Sequence, residues 1–374
     1  MSRPITDEEL HYLRAARAMP PVPAEVVDPP KILTPYVMSL PLGTKSQFSL
    51  NVKDAPVDPD SDKIAAVSGH SGMFNMGYWG DEWAGDPSRG TGIVGLPINN
   101  LDFSQIEPVV VVVTEADGYP SMDDGQGRAI WHIPSEFKHK LRVIQGGRDP
   151  STPRDGDSHL ILMDQALMRL EELFYVWFNP ADNQWHAACG QVTDLRTPRL
   201  TGPGKTTASG IPFSVGLIYY DELVSKAEFD HGFFFWAAEW AMDPNLVFPA
   251  THTDGWSSNP FAPPMGARFR LRPDFDMTGY PPLIQKIFRA CQTYGTIGGD
   301  TMVDKATIAA GGYREKNGDY ALGGAYDPRF NQFNAVDSPD SWIRICRERG
   351  PFSVDWQLVD RAWSAAASKA LESA

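Results

Sequence analysis

The sequence predicts an all-β protein with peripheral helices, organised as a two-sheet β-sandwich of jelly-roll or concanavalin-like type. Three observations carry that expectation. From about residue 107 onward, short apolar runs are separated by Gly, Pro, Asp and Asn, as in proteins of many short strands. The run Arg268-Phe269-Arg270-Leu271-Arg272 alternates strictly, which on a strand sets Phe269 and Leu271 on one face and three arginines on the other. No segment recurs at the spacing of a solenoid or propeller.

Taken in order, the first expected element is a helix, with Thr6 and Glu9 at capping-box spacing and Leu10 and Leu13 on one face. It stops before Pro20-Pro21-Val22-Pro23, and the Pro-rich stretch 20–62 reads as an extended arm draped over the body. Residues 1–62 are thus an N-terminal helix and arm, and 63–280 the sandwich core. Residues 281–374 are C-terminal helices and a Gly-rich irregular segment packed on that core. Candidate strands are 108–114, 141–145, 158–164, 171–178, 185–189, 213–220, 231–238, 246–249 and 267–272. A helix over 281–294 opens with Pro282 and gathers Ile284, Ile287, Phe288, Cys291 and Tyr294 on one face, with Gly295 as its C-terminal stop. A second over 354–371 repeats apolar positions at Val354, Leu358, Ala362 and Ala366. The stretch 296–350 is read as irregular.

Bulk chemistry removes several function classes. The chain has 374 residues and a net charge of −14, from 47 acidic against 33 basic side chains. Such a surface repels nucleic-acid phosphates and anionic membranes. No apolar stretch approaches the ~20 residues of a membrane span, the densest runs being Val109 to Val113 and Phe233 to Ala238. The opening residues lack the apolar core of a signal peptide, so the protein is expected to be cytoplasmic, or secreted with its leader removed. Cys189, Cys291 and Cys346 are widely spaced without a CxxC, which argues against a disulfide scaffold or structural zinc. Asp54, Asp58, Asp60 and Asp62 resemble a calcium loop in composition but lack its glycine and terminal glutamate, leaving only a hint of a structural calcium.

No nucleophile elbow, phosphate loop, HExxH or dinucleotide fingerprint is present. What remains are polar residues within β-segments. Glu172, next to Glu171, is expected to point inward, because one of two adjacent carboxylates on a strand must do so. Asp194, Glu222, His231 and His252 complete the candidate catalytic set; Asp230 and Asp254 lie beside the two histidines. Imidazoles with flanking carboxylates suit a divalent metal or proton transfer, and equally suit strand-end capping. The two rings are expected to line one pocket. In the segment 70–83, Trp79 and Trp83 would stack on sugar rings while Asp81 bonds hydroxyls, unless the segment packs as its own aromatic plug. Arg270 could receive an anionic sugar, or pair with an internal carboxylate.

The order Gly92-Ile93-Val94-Gly95-Leu96-Pro97, Trp131-His132-Ile133-Pro134, Gly156-Asp157-Ser158-His159, Leu170-Glu171-Glu172-Leu173, Gly210-Ile211-Pro212, Asp221-Glu222, Pro249-Ala250-Thr251-His252 and Pro264-Met265-Gly266-Ala267-Arg268 resembles a functionally unassigned family of mostly secreted bacterial β-rich proteins. That resemblance implies an extracellular β-domain and supplies no reaction.

The reading these residues favour is cleavage of a polysaccharide, by a glycoside hydrolase or lyase, in a groove across the sandwich. A non-catalytic carbohydrate-binding protein would keep the aromatic platform without a close carboxylate pair. A structural or assembly subunit, such as a shell, fibre or virion protein, would use the arm to wrap neighbours in a homo-oligomer.

Overall fold

The computed structural model describes residues 46–66, 74–76, 95–114, 129–152, 157–198, 204–238, 241–302, 320–322, 327–330, 342–351 and 353–373. The expected first helix, most of the Pro-rich arm and the 70–83 aromatic segment apart from 74–76 lie outside them. In chain order the strands are β1 (Phe74–Met76), β2 (Ile98–Asn100), β3 (Val109–Val113), β4 (Ala129–Trp131), β5 (Leu160–Asp164), β6 (Arg169–Phe174), β7 (Trp177–Asn179) and β8 (Gln184–Ala187). They continue with β9 (Cys189–Asp194), β10 (Phe233–Ala238), β11 (Asp243–Leu246), β12 (Pro264–Met265), β13 (Arg268–Leu271), β14 (Thr296–Met302), β15 (Tyr320–Leu322) and β16 (Trp356–Leu358). The helices are α1 (Ser61–Ala65), α2 (Tyr220–Ser225), α3 (Pro282–Thr293), α4 (Trp342–Arg349) and α5 (Arg361–Ser373). None of them is long and apolar enough to cross a membrane.

The protein is β-rich, as expected, but the described strands do not form two antiparallel sheets. They form a six-stranded sheet, β1-β15-β10-β14-β13-β16, two four-stranded sheets, β2-β5-β6-β9 and β4-β3-β8-β7, and the pair β11-β12. β1/β15, β10/β14, β11/β12, β2/β5 and β3/β8 run parallel. Apolar runs report that a strand is buried, not which neighbour it takes or in which direction, so the mixed topology was invisible to them.

Burial on both faces explains the middle sheet. All five residues of β5 are buried. Ile161 and Met163 face a core shared with Phe213, Val215, Leu217 and Phe234. Leu160 and Leu162 face a second core with Trp131, Val143 and Trp185. The β2-β5-β6-β9 sheet therefore lies between the β4-β3-β8-β7 sheet and a buried strap, residues 204–219, that rests on the large sheet. On the far side of the large sheet Phe233, Phe235, Phe269 and Leu271 pack against Ile284, Ile287, Phe288 and Cys291 of α3. That helix matches expectation, from Pro282 to Gly295, which takes a φ of +70°. The three cysteines are free and buried, and burial raises the thiol pKa of both Cys291 and Cys346.

Several expected elements differ. Residues 141–145 make turns with one isolated bridge, Ile144 to Leu160. The 213–220 run folds as a 3-10 turn (Phe213–Gly216) leading to α2. The expected C-terminal helix is preceded by the edge strand β16 and begins at Arg361. The largest miss is β14, whose Gly298-Gly299 suggested a loop. Those glycines instead make room for aromatic rings, since a Cβ on Gly299 would sit 2.0 Å from the Phe234 ring. Gly299→Ala is accordingly expected to destabilise the fold by roughly 1–3 kcal/mol through overpacking, read as a lowered melting temperature.

The arginine face of β13 also resolves. Arg268 is buried and donates to the carbonyls of Gln47 at 2.9 Å and Tyr294 at 3.3 Å. Burial lowers its pKa to about 9. Arg270 reaches the carbonyl of Lys53 at 2.7 Å and Gln357 Oε1 at 3.1 Å. Arg272 donates to the Val354 carbonyl at 2.7 Å and to Asp62 at 2.8 Å. Arg270 is thus engaged in fastening the 47–53 segment and is 6% exposed, a poor receptor for an anionic sugar. The aspartates of the supposed calcium loop diverge: Asp58 pairs with Arg361, Asp60 with Lys63 and Asp62 with Arg272.

Candidate functional site

Where β10 and β14 run parallel, the register slips: Phe235 is opposite Gly298, but Trp236 is opposite Asp300. Gly299 is the extra residue of a β-bulge, a device rare in parallel pairs that re-aims the side chain beside it. The bulge frees the Gly299 carbonyl to accept from the Ser209 amide at 3.1 Å, and the Ala208 amide donates to Asp300 Oδ1 at 2.7 Å. Asp300 is half-buried. Burial pushes its carboxyl well above the usual carboxylate range, and the charges of Asp157 and Asp254 push the same way, against the amides of Ala208 and Thr301.

Two further segments meet at the bulge. The Thr251 and His252 amides both donate to the Ser209 carbonyl, at 2.9 and 3.3 Å, bringing the 251–254 loop against the strap. Thr251 Oγ1 lies 2.8 Å from His252 Nδ1. Partial burial lowers the His252 pKa, the Lys205 ammonium adds to this, and Asp254 opposes it. Lys205, only 8% exposed in its side chain, ion-pairs with Asp254 at 3.5 Å. The result is a carboxyl whose pKa is raised, a half-buried imidazole whose pKa is lowered, and a cation–carboxylate pair, gathered midway along two parallel strands. Perturbed titrating groups in such company mark functional sites more often than chance.

The chain matches no family model, no curated protein and no solved structure.

Of the candidate catalytic and binding residues expected from sequence, only His252 belongs to this group, together with Asp254, the acid noted beside it. Trp79, Asp81 and Trp83 lie outside the described residues. Asp194 is the exposed last residue of β9, clasped by Arg196 at 2.8 Å through both Nε and Nη2, which holds it below its ordinary pKa. Glu171 and Glu172 are both buried, because β6 is covered on both faces. Glu171 accepts from the His132 amide at 2.9 Å and pairs with Arg169 at 2.8 Å. Glu172 accepts from Thr206 Oγ1 and Ser214 Oγ, each at 2.9 Å, and from the amides of Phe213 and Ser214, each at 3.3 Å. Burial raises its pKa despite those four donors. It anchors the strap, whose amides have no ladder to satisfy them.

Glu222 and His231 do meet, away from His252. His231 Nε2 lies 3.0 Å from Glu222 Oε2, and its Nδ1 is 2.7 Å from the Gly232 carbonyl. Phe233, two residues on, bonds to the Gly295 carbonyl, whereas the His252 loop docks through Ser209 at Gly299. That offset is four residues, from Gly295 just before β14 to Gly299 within it, about 13 Å of extended chain. The expected shared pocket is therefore not formed: each ring keeps its own partners. Glu222, Asp230 and His231 bring ligand atoms within 4.8 Å of one another. Lys226 occupies that space, with its ammonium 2.7 Å from Glu222 and 3.3 Å from Asp230, so the group is an internal ion network.

Asp300 and Lys205 were missed because the members of the group lie on three segments far apart in sequence. The available signal was an aspartate directly after two glycines inside an apolar stretch, the signature of a bulge.

Proposed function

We propose that the protein cleaves a carbohydrate by general acid–base chemistry, with Asp300 as the proton donor and Asp254 as the second carboxylate. The observation that carries this reading is the unlike settings of the two carboxyls. Asp300 is held well above the usual carboxylate range, while Asp254 is 42% exposed and paired with Lys205. Glycoside hydrolysis needs such a division, one carboxyl holding its proton for the leaving oxygen and the other acting as base or nucleophile. His252, whose pKa is lowered by partial burial and the Lys205 charge, would accept or relay a proton in this mechanism. The aromatic, acid-rich composition of 70–83 supports a sugar as substrate.

The test is a polysaccharide panel assayed both for new reducing ends and for unsaturated products. Wild-type protein is expected to release reducing ends from at least one substrate. Asp300→Asn should lose about 100-fold or more of that rate while keeping its melting temperature. Unsaturated products would assign elimination instead. Silence across the panel, or a fully active Asp300→Asn, would overturn the proposal.

A further inference from the structure

Arg268 carries its charge at 1% exposure, and its hydrogen-bond partners are neutral carbonyls, those of Gln47 and Tyr294. No carboxylate among the described residues pairs with it, and its Nε is buried without a hydrogen-bond partner among them. A buried charge lacking a counter-charge is among the costliest groups a fold can hold. The direction of the Nε–H follows from the guanidinium, in which Nε–H and an N–H of Nη2 share one edge of the planar fork. Nη2 bonds the Gln47 carbonyl at 2.9 Å, so the Nε–H faces the Gln47 segment as well.

More polar atoms without partners gather at that segment. Gln47 extends its side chain to α5, where Nε2 donates to the Ser368 carbonyl at 3.0 Å. Gln47 Oε1, Ser368 Oγ and Ser364 Oγ are all buried with no hydrogen-bond partner among the described residues. Ser364 and Ser368 lie one helical turn apart on the buried face of α5. The chain just before that helix is itself tied to Arg268, whose carbonyl accepts the Val359 amide at 2.9 Å. Ser364 therefore stands between the Val359 contact with Arg268 and the Ser368 contact with Gln47. Glu372, a turn further on, reaches the Gln47 amide at 3.4 Å, but burial alone shifts the pKa of Arg268, so that carboxylate is not its counter-charge.

We infer that Arg268 and the Ser364 hydroxyl bind a small monovalent anion, such as chloride, between β13 and α5, with the Ser368 hydroxyl turned to Gln47 Oε1. This assignment satisfies all four atoms at once. The Nε–H and the Ser364 O–H donate to the anion, and the Ser368 O–H donates to the amide oxygen. Water would accept the same two bonds but would leave the guanidinium charge unpaired. A bound anion fastens α5 and the Gln47 segment to β13, and it stabilises the folded chain by mass action.

The site is independent of the proposed reaction, so activity is not its readout. Full-length protein is melted across a sodium chloride series at constant ionic strength, with sodium gluconate making up the balance, and again with bromide. Wild type is expected to gain about 2 °C or more along a saturating curve in either halide. Ser364→Ala should raise the half-saturating chloride concentration about tenfold or more, and Arg268→Met should abolish the response. Should Arg268→Met fail to fold, Ser364→Ala carries the test. A wild-type melting temperature indifferent to halide would mean that water alone fills the space, and would overturn the site. A halide response that Ser364→Ala keeps unchanged would be a bulk salt effect and would overturn it equally.

Discussion

Glu222→Ala is expected to cost the fold about 3–5 kcal/mol, read as a shift in the urea midpoint. Glu222 is fully buried and bonds to both His231 and Lys226. Removing it leaves the buried His231 ring without its carboxylate and the half-buried Lys226 ammonium with only the exposed Asp230 as counter-charge. Lys286, from α3, donates to the carbonyls of Glu222, Leu223 and Lys226 at the end of α2, so a second ammonium stands nearby. Burial works against the charged form of His231, but the charge and hydrogen bond of Glu222 outweigh it and its pKa is raised. Both ring nitrogens face oxygen acceptors, which only the doubly protonated ring satisfies. A raised folded pKa gives stability that is complete below pH 6.5 and lost as pH climbs through the folded value. Wild-type protein should therefore lose stability on the alkaline side, and Glu222→Ala should not show that loss. Equal alkaline slopes in the two proteins would refute the network. A double variant with His231→Ala should fall short of the summed single effects, since both act on one network.

The second large effect lies at low pH. His159 is 1% exposed, wedged against Phe213 edge-on at 4.7 Å and Phe174 at 5.0 Å. Its Nδ1 is buried without a hydrogen-bond partner among the described residues. Burial lowers its pKa from 6.5 to about 3. The unfolded chain thus takes up a proton below pH 6.5 that the folded chain refuses until about pH 3. Stability is present above pH 6.5 and lost as pH falls through that window, by about 1.4 kcal/mol per unit and at most about 5 kcal/mol in all. The raised carboxyls of Glu172 and Asp300 act in the opposite sense, so the measurement is a difference. His159→Leu should show a shallower acid slope than wild type by one proton between pH 6 and 4. Parallel slopes would mean the ring is protonated in the folded state.

Legibility in the sequence followed the kind of physics involved. Helix α3 was readable because Pro282, its apolar face and Gly295 act locally. Strands β3, β5, β10 and β13 were readable from apolar runs. Strand β14 was not, because its glycines answer to Phe234 and Phe235, more than sixty residues earlier. The same limit governs the site. The partners of a carboxylate decide its proton affinity, and those of Asp300 come from segments near residues 157, 208 and 254. Glu222 and His231 were singled out as candidate catalytic residues, and the structure joins them with Lys226 in a buried ion network. Arg270 fastens backbone carbonyls, a role that a count of acidic residues could not suggest.

The clasp formed by the β13 arginines also sets the order in which the chain can finish folding. Arg268 bonds to Gln47, Arg270 to Lys53, Asp58 to Arg361, and Gln47 to the carbonyl of Ser368, 321 residues away. The 46–66 segment therefore leaves the ribosome more than two hundred residues ahead of these anchors. Closing contacts at such separation is entropically late and slow. Until 353–373 arrives, Val52, fully buried in the native protein beside Val359, remains available to wrong partners. Nascent chains arrested before residue 353 should accordingly be open to proteolysis near residue 50 and to chaperones that bind apolar segments, with protection appearing only once α5 has docked.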